Sequence, residues 1–127
     1  MRKPHKHPAL SQIIFCVGGV CGGKGQAEVP KQALLTRWKQ EYLWRACHIS
    51  FSDCLGPCEL ANNACVLTAT ATVWLGELTP EDYQTLAEWA ARCKQAARLL
   101  PLPTSLMEKQ IQRFAEAGSI PLERRNA

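Results

Sequence analysis

The sequence predicts an α/β domain, and three observations carry that prediction. Short β-branched runs alternate with segments of helical periodicity, each of two cysteine pairs follows one of those runs, and one helix carries a complete start signal. The predicted order is strand, helix, strand, cysteine loop, two strands, helix, and then an appended helix with a tail. At 127 residues the chain is one domain's worth. A hydrophobic content of 46%, with four Trp, is enough to build a packed core.

Residues 1–10 read as a basic flexible leader. Gln12 to Val17 is apolar and β-branched and ends at Gly18-Gly19, which predicts a short buried strand. Cys21-Gly22-Gly23-Lys24-Gly25 reads as a loop. From Gln26 to Leu43 the residues Val29, Ala33, Leu34, Trp38 and Tyr42 recur at helical spacing, with Pro30 in the first turn. Ala46 to Phe51 alternates as a second strand and runs into a loop holding Cys54 and Cys58. Ala64 to Leu67 and Ala71 to Leu75 predict a hairpin turning near Thr68–Thr70.

The next helix has Thr79 as N-cap, Pro80 at the first helical position and Asp82 placed to close a capping box. Tyr83, Leu86, Ala87, Ala90, Cys93 and Ala97 mark its apolar face, and Pro101 and Pro103 stop it. A third helix is expected from Ser105, with Glu108 at N3, through Ile111, Phe114 and Ala115 to Gly118. The organisation is therefore a leader at 1–10, a domain at 11–97, and a proline-containing connector, helix and tail at 98–127.

The formal charge is +4, with Arg2, Lys3, Lys6, Arg124 and Arg125 near the ends. Solvated tails explain that distribution better than a nucleic-acid surface does. The apolar run Ile13–Val17 is too short for an export signal, Ser11 and Gln12 interrupt its approach, and no small-residue cleavage site follows. No stretch has the length of a membrane span, so membrane insertion is not expected and the expected location is cytoplasmic.

Of seven cysteines, four fall in two glycine-bearing pairs, Cys16-Val17-Gly18-Gly19-Val20-Cys21 and Cys54-Leu55-Gly56-Pro57-Cys58. Four thiolates on two short loops suit a metal centre. The C-x4-C and C-x3-C spacings favour a [2Fe–2S] cluster, with a four-cysteine zinc site as the rival that fits loosely. A plant-type ferredoxin would need a cysteine where Lys24 stands. No C-x-x-C is present for a thioredoxin-type redox enzyme, and a Cys54–Cys58 disulfide would leave the glycine-rich loops without a purpose. Gly18, Gly19, Gly22, Gly23 and Gly56 let backbone N–H groups approach the sulfurs.

Cys47, Cys65 and Cys93 read as small buried hydrophobes, Cys65 being the one that could substitute as a ligand. A two-histidine Rieske site is disfavoured, since His5 and His7 lie in the leader and leave only His48. Trp38, Trp44, Trp74 and Trp89 read as core or interface anchors. No nucleophile–base pair is evident, and Gly22-Gly23-Lys24-Gly25 does not meet the phosphate-loop pattern. An enzyme is not expected.

The pattern Cys16-x4-Cys21…Cys54-Leu55-Gly56-Pro57-Cys58-Glu59 resembles the thioredoxin-like [2Fe–2S] ferredoxins. Its spacing is similar to that of the cluster domain of the NuoE-type subunit of respiratory complex I. Val73-Trp74-Leu75-Gly76-Glu77-Leu78-Thr79-Pro80-Glu81-Asp82 looks like the family's aromatic strand end, glycine turn and capped final helix, and the resemblance covers residues 11–97. It implies a thioredoxin-like mixed β-sheet flanked by helices, and a cluster held by Cys16, Cys21, Cys54 and Cys58. It also implies one-electron carriage without catalysis, a redox partner protein (reductase or acceptor), and a homodimer. The alternative is an accessory binding or redox-sensing module with a structural cluster, set in a metal-cofactor pathway linked to cobalamin or cobalt chelation. Leu102, Leu106, Ile111, Phe114 and Ile120 are too apolar for a solvated tail. Their docking is expected within a homodimer.

Overall fold

A computed structural model of the chain describes residues 1–6, 8–18, 28–116 and 118. Ser11–Cys16 forms β1, where Ile13 and Phe15 are wholly buried and Gln12 and Ile14 half-buried, the alternation of a strand with one face in the core. β1 runs parallel to β2 (Cys47–Ser52) and antiparallel to β3 (Ala64–Thr68). β3 pairs in turn with antiparallel β4 (Thr72–Leu75), giving one mixed sheet in the order β2-β1-β3-β4. The hairpin turn lacks Gly or Asn and is held by a side chain instead. The Thr68 hydroxyl accepts from the N–H groups of Thr70 and Ala71.

A parallel pair needs a crossover, and the β1–β2 connection carries α1 (Lys31–Gln40). The helix is shorter than its periodicity suggested. Pro30 stands at its N-cap rather than within the first turn, and no side chain caps it among the described residues. At the other end Tyr42 adopts φ 53°, and a 3-10 turn over Leu43–Arg45 buries Leu43 while Tyr42 stays exposed. Residues 26 and 27 of the expected helix lie outside the described residues.

α2 (Pro80–Ala96) starts as expected, with a reciprocal capping box between Thr79 and Asp82 and Pro80 in its first turn. It ends before the prolines. Ala97 turns left-handed at φ 55°, and Arg98 N–H donates to the Cys93 carbonyl. Leu34 and Trp38 of α1 and Tyr83, Leu86, Trp89 and Ala90 of α2 share one core with Ile13, Phe15, Val66 and Leu75. Both helices therefore cover the same face of the sheet. Trp38 and Trp89 are buried with their indole N–H groups on the carbonyls of Cys47 and Leu100, whereas Trp44 is largely exposed.

The appended segment corrects the expectation of a helix reaching Gly118. Among the described residues of this segment only α3 (Thr104–Met107) is helical, with Pro103 rather than Ser105 at its N-cap. The chain then extends along the outer edge of β4. Gly76 N–H donates to the Lys109 carbonyl, Ile111 N–H donates to the Trp74 carbonyl, and Leu75 and Gln110 form an antiparallel bridge. An edge strand's unpaired groups are satisfied that way, and continuing the helix would forfeit the bonds. Leu106 is fully buried in the main core, with Leu99, Leu100 and Leu102 packed against it. Of the side chains expected to dock, Leu102 and Leu106 pack on the chain's own core, while Phe114 is exposed. Ile120 lies outside the described residues.

Candidate metal centre

The strand order creates the site. β1 lies between β2 and β3, so the chain leaving β2 must pass over the end of β1, where Cys16 stands, to begin β3. That connection, residues 53–63, contains Cys54 and a 3-10 turn over Cys58–Leu60. Backbone bonds on both sides fix the end of β1: Cys16 N–H to the Asn63 carbonyl at 3.2 Å, and Val17 N–H to the Ser52 carbonyl at 2.9 Å.

The Cys16 side chain is 1% exposed and packs with Leu55 and Ala61. Leu55 N–H donates to its Sγ at 3.4 Å, and the thiol lies 3.7 Å from the Asp53 carbonyl oxygen as donor. The residues on either side of Cys54 therefore both touch Cys16. Gly18 makes this approach possible, because a Cβ there would overlap the backbone of Asp53 and Cys54. The far side of the loop is braced as well. Asn63 Nδ2 donates to the Pro57 carbonyl at 3.2 Å, and Glu77 N–H donates to the Leu60 carbonyl at 2.8 Å.

Of the four expected ligands, the structure thus brings the Cys54 loop onto Cys16. Cys16 is buried and Cys54 exposed. Cys21 and the Cys58 side chain lie outside the described residues. Among the described residues no group of three or more His, Cys, Asp or Glu side chains is gathered for a metal ion. The donor chemistry that is described fits a thiolate-bound group: a sulfur at a rigid strand end, an N–H aimed at it, and a glycine keeping the second loop close.

The other cysteines behave differently. Cys47, Cys65 and Cys93 are buried free thiols. Burial pushes the Cys47 thiol from 9.0 up to about 12, against a smaller opposing effect from the Ser11 hydroxyl. Burial also raises the Cys65 thiol. Thiols held protonated are poor ligands. Cys65 pairs with Ile14, so by strand alternation it shares a sheet face with Cys16 and sits about one rung back. His48 pairs with Gln12, whereas Cys16 pairs with Ser52. His48 is therefore roughly 13 Å along β2 from the cysteine end, too far to be a ligand there.

One residue at the site was not anticipated. Arg113 Nη2 donates to the Leu55 carbonyl at 2.9 Å. The expected C-terminal helix gave Arg113 no such destination, and only the extended run beside β4 brings it to the loop.

The fold is thioredoxin-like: a mixed four-stranded sheet flanked by helices. Among solved structures it is similar to the thioredoxin-like [2Fe–2S] ferredoxin from Aquifex aeolicus. One structure of that protein gives a TM-score of 0.55 at 16% identity, covering 89% of this chain and 100% of the ferredoxin chain. A second, of the wild type, gives 0.53 at 17% identity, covering 84% and 100%. No protein-family model matches the sequence, and neither does any curated protein. Among the described residues no helix is long and apolar enough to cross a membrane.

Proposed function

We propose that the protein is a [2Fe–2S] iron–sulfur protein that carries single electrons without catalysis of its own, with Cys16, Cys21, Cys54 and Cys58 as ligands. The observation that carries this reading is the Cys54 loop folded onto Cys16, with Leu55 N–H directed at the Cys16 sulfur. The ferredoxin character of the similar solved structures supports it. Bound there, the cluster would supply reversible one-electron chemistry. The chain's own residues do the rest. β1 and the braced 53–63 connection hold Leu55 over Cys16, and Leu55 N–H would stabilise negative charge on sulfur, favouring the reduced state. Cys54 and Gly56 are exposed, so a reductase or acceptor protein would approach on that side of the loop.

The chain purified anaerobically is expected to be red-brown, with about two iron and two acid-labile sulfide per molecule. A colourless protein holding one tightly bound zinc would overturn the reading. Replacing Cys16, Cys21, Cys54 or Cys58 singly by Ala should abolish or severely bleach the visible spectrum. Cys47→Ala, Cys65→Ala and Cys93→Ala should retain it. Bleaching by Cys65→Ala with a spared Cys58→Ala would reassign the ligand set.

A further inference from the structure

The C-terminal segment brings a fixed charge to the cysteine loop. Arg113 follows the rung that Lys109 to Ile111 adds to β4, so the register of that rung decides where its side chain lands. Its guanidinium carbon stands 5.5 Å from the Trp74 ring centre and 4.8 Å from that of Phe114, with Nη2 on the Leu55 carbonyl. Gly56, at φ 117°, leaves the room, since a Cβ there would overlap the guanidinium. Arg113 Nε is buried with no hydrogen-bond partner among the described residues, a cost that a solvated arginine would not carry.

Leu55 is therefore gripped at both ends. Its N–H donates to Cys16 Sγ at 3.4 Å and its carbonyl accepts from Arg113 at 2.9 Å. These two groups belong to adjoining rigid peptide units, so holding one restricts the other. We propose that Arg113 is a positioning residue of the cysteine site: it pins Leu55 over Cys16 and supplies a positive charge that favours the more reduced state of the bound group. The electrostatic half rests on the iron–sulfur reading. The positioning half does not.

The full chain without added iron tests the positioning. Arg113→Ala should make amide hydrogen exchange at Leu55, followed by NMR, about tenfold faster. Arg113→Lys and Arg113→Gln each retain a donor for the Leu55 carbonyl and should stay near wild type. The full chain loaded with iron and sulfide tests the charge. At a fixed potential, Arg113→Ala and Arg113→Gln should shift the reduced-to-oxidised ratio about tenfold toward oxidised, a fall of about 59 mV in midpoint potential, and Arg113→Lys should recover most of it. Unchanged Leu55 exchange in Arg113→Ala overturns the positioning. Equal potentials for Arg113→Gln and wild type overturn the electrostatic role. Should Arg113→Ala fail to fold, faster Leu55 exchange in Arg113→Lys with Trp74 and Phe114 intact would overturn the donor role in its place. A wild-type chain that loads no cluster sinks the iron–sulfur reading and the charge role together, and the exchange measurement still decides the positioning.

Discussion

α2 and the segment beginning at Ser105 carry similar start signals and fold differently. Thr79 precedes Asp82 as Ser105 precedes Glu108, and apolar residues follow both. The first becomes a 17-residue helix with a closed capping box, and the second a four-residue helix that gives way to extended chain. α2 buries Tyr83, Leu86, Ala87, Trp89, Ala90 and Cys93 along one continuous stripe. In α3 only Leu106 is buried, and the backbone beyond it meets the edge of β4, where Gly76 N–H and the Trp74 carbonyl need partners. A cap starts a helix, but continuation needs a surface for the next turns to bury. An open sheet edge competes for the same backbone groups. Lys109 joins the two regions, with its Nζ 3.2 Å from the capping carboxylate of Asp82 and donating to the Glu77 carbonyl at 2.8 Å.

Leu106→Ala tests this contrast most severely, because it removes the one buried anchor of α3. It should cost about 2–5 kcal/mol in denaturant unfolding, and a loss below about 1 kcal/mol would show that the segment is not part of the core. Ile111→Pro deletes the N–H that donates to the Trp74 carbonyl and should cost about 1–2 kcal/mol. The same variant should also release Arg113, so Leu55 exchange should quicken as in Arg113→Ala. Unaltered exchange would mean that the strand-like rung does not position the arginine. The smallest effect separates the two caps. Thr79→Ala should cost about 1 kcal/mol, whereas Ser105→Ala should cost under about 0.5 kcal/mol because Ser105 lies inside α3 rather than at its cap. Equal costs would erase the distinction.

Elements whose signals are local were legible in the sequence. β1 came within one residue of its expected span, the hairpin fell where two apolar runs flank Thr68–Thr70, and the cap of α2 was readable to the residue pair Thr79 and Asp82. The burial of Cys47, Cys65 and Cys93 was legible too, from their place within apolar strand and helix patterns. Where distant groups decide, the reading failed. The C-terminal end of α1 depends on Leu43 rather than Tyr42 entering the core, and the last segment depends on the vacant edge of β4. At the site, glycine-bearing cysteine loops after strands were visible, but the contact of Cys16 with residues 53–55 follows from β1 lying between β2 and β3. Arg113 was invisible because its position follows from the same misjudged segment.

Strand order also makes the cysteine site a late event in folding. Cys16 meets Asp53 and Leu55 across 37 and 39 residues of chain, and Leu55 meets Arg113 across another 58. No part of this closure is local, so its entropy is recovered only once β1, β2 and β3 are registered. A metal group that needs both loops therefore finds no preformed cradle in the denatured chain. Such a group would bind the finished sheet and hold it folded by mass action. On the proposed reading, metal loading would report completed folding, and the chain without its cluster would be the form most exposed to unfolding and proteolysis.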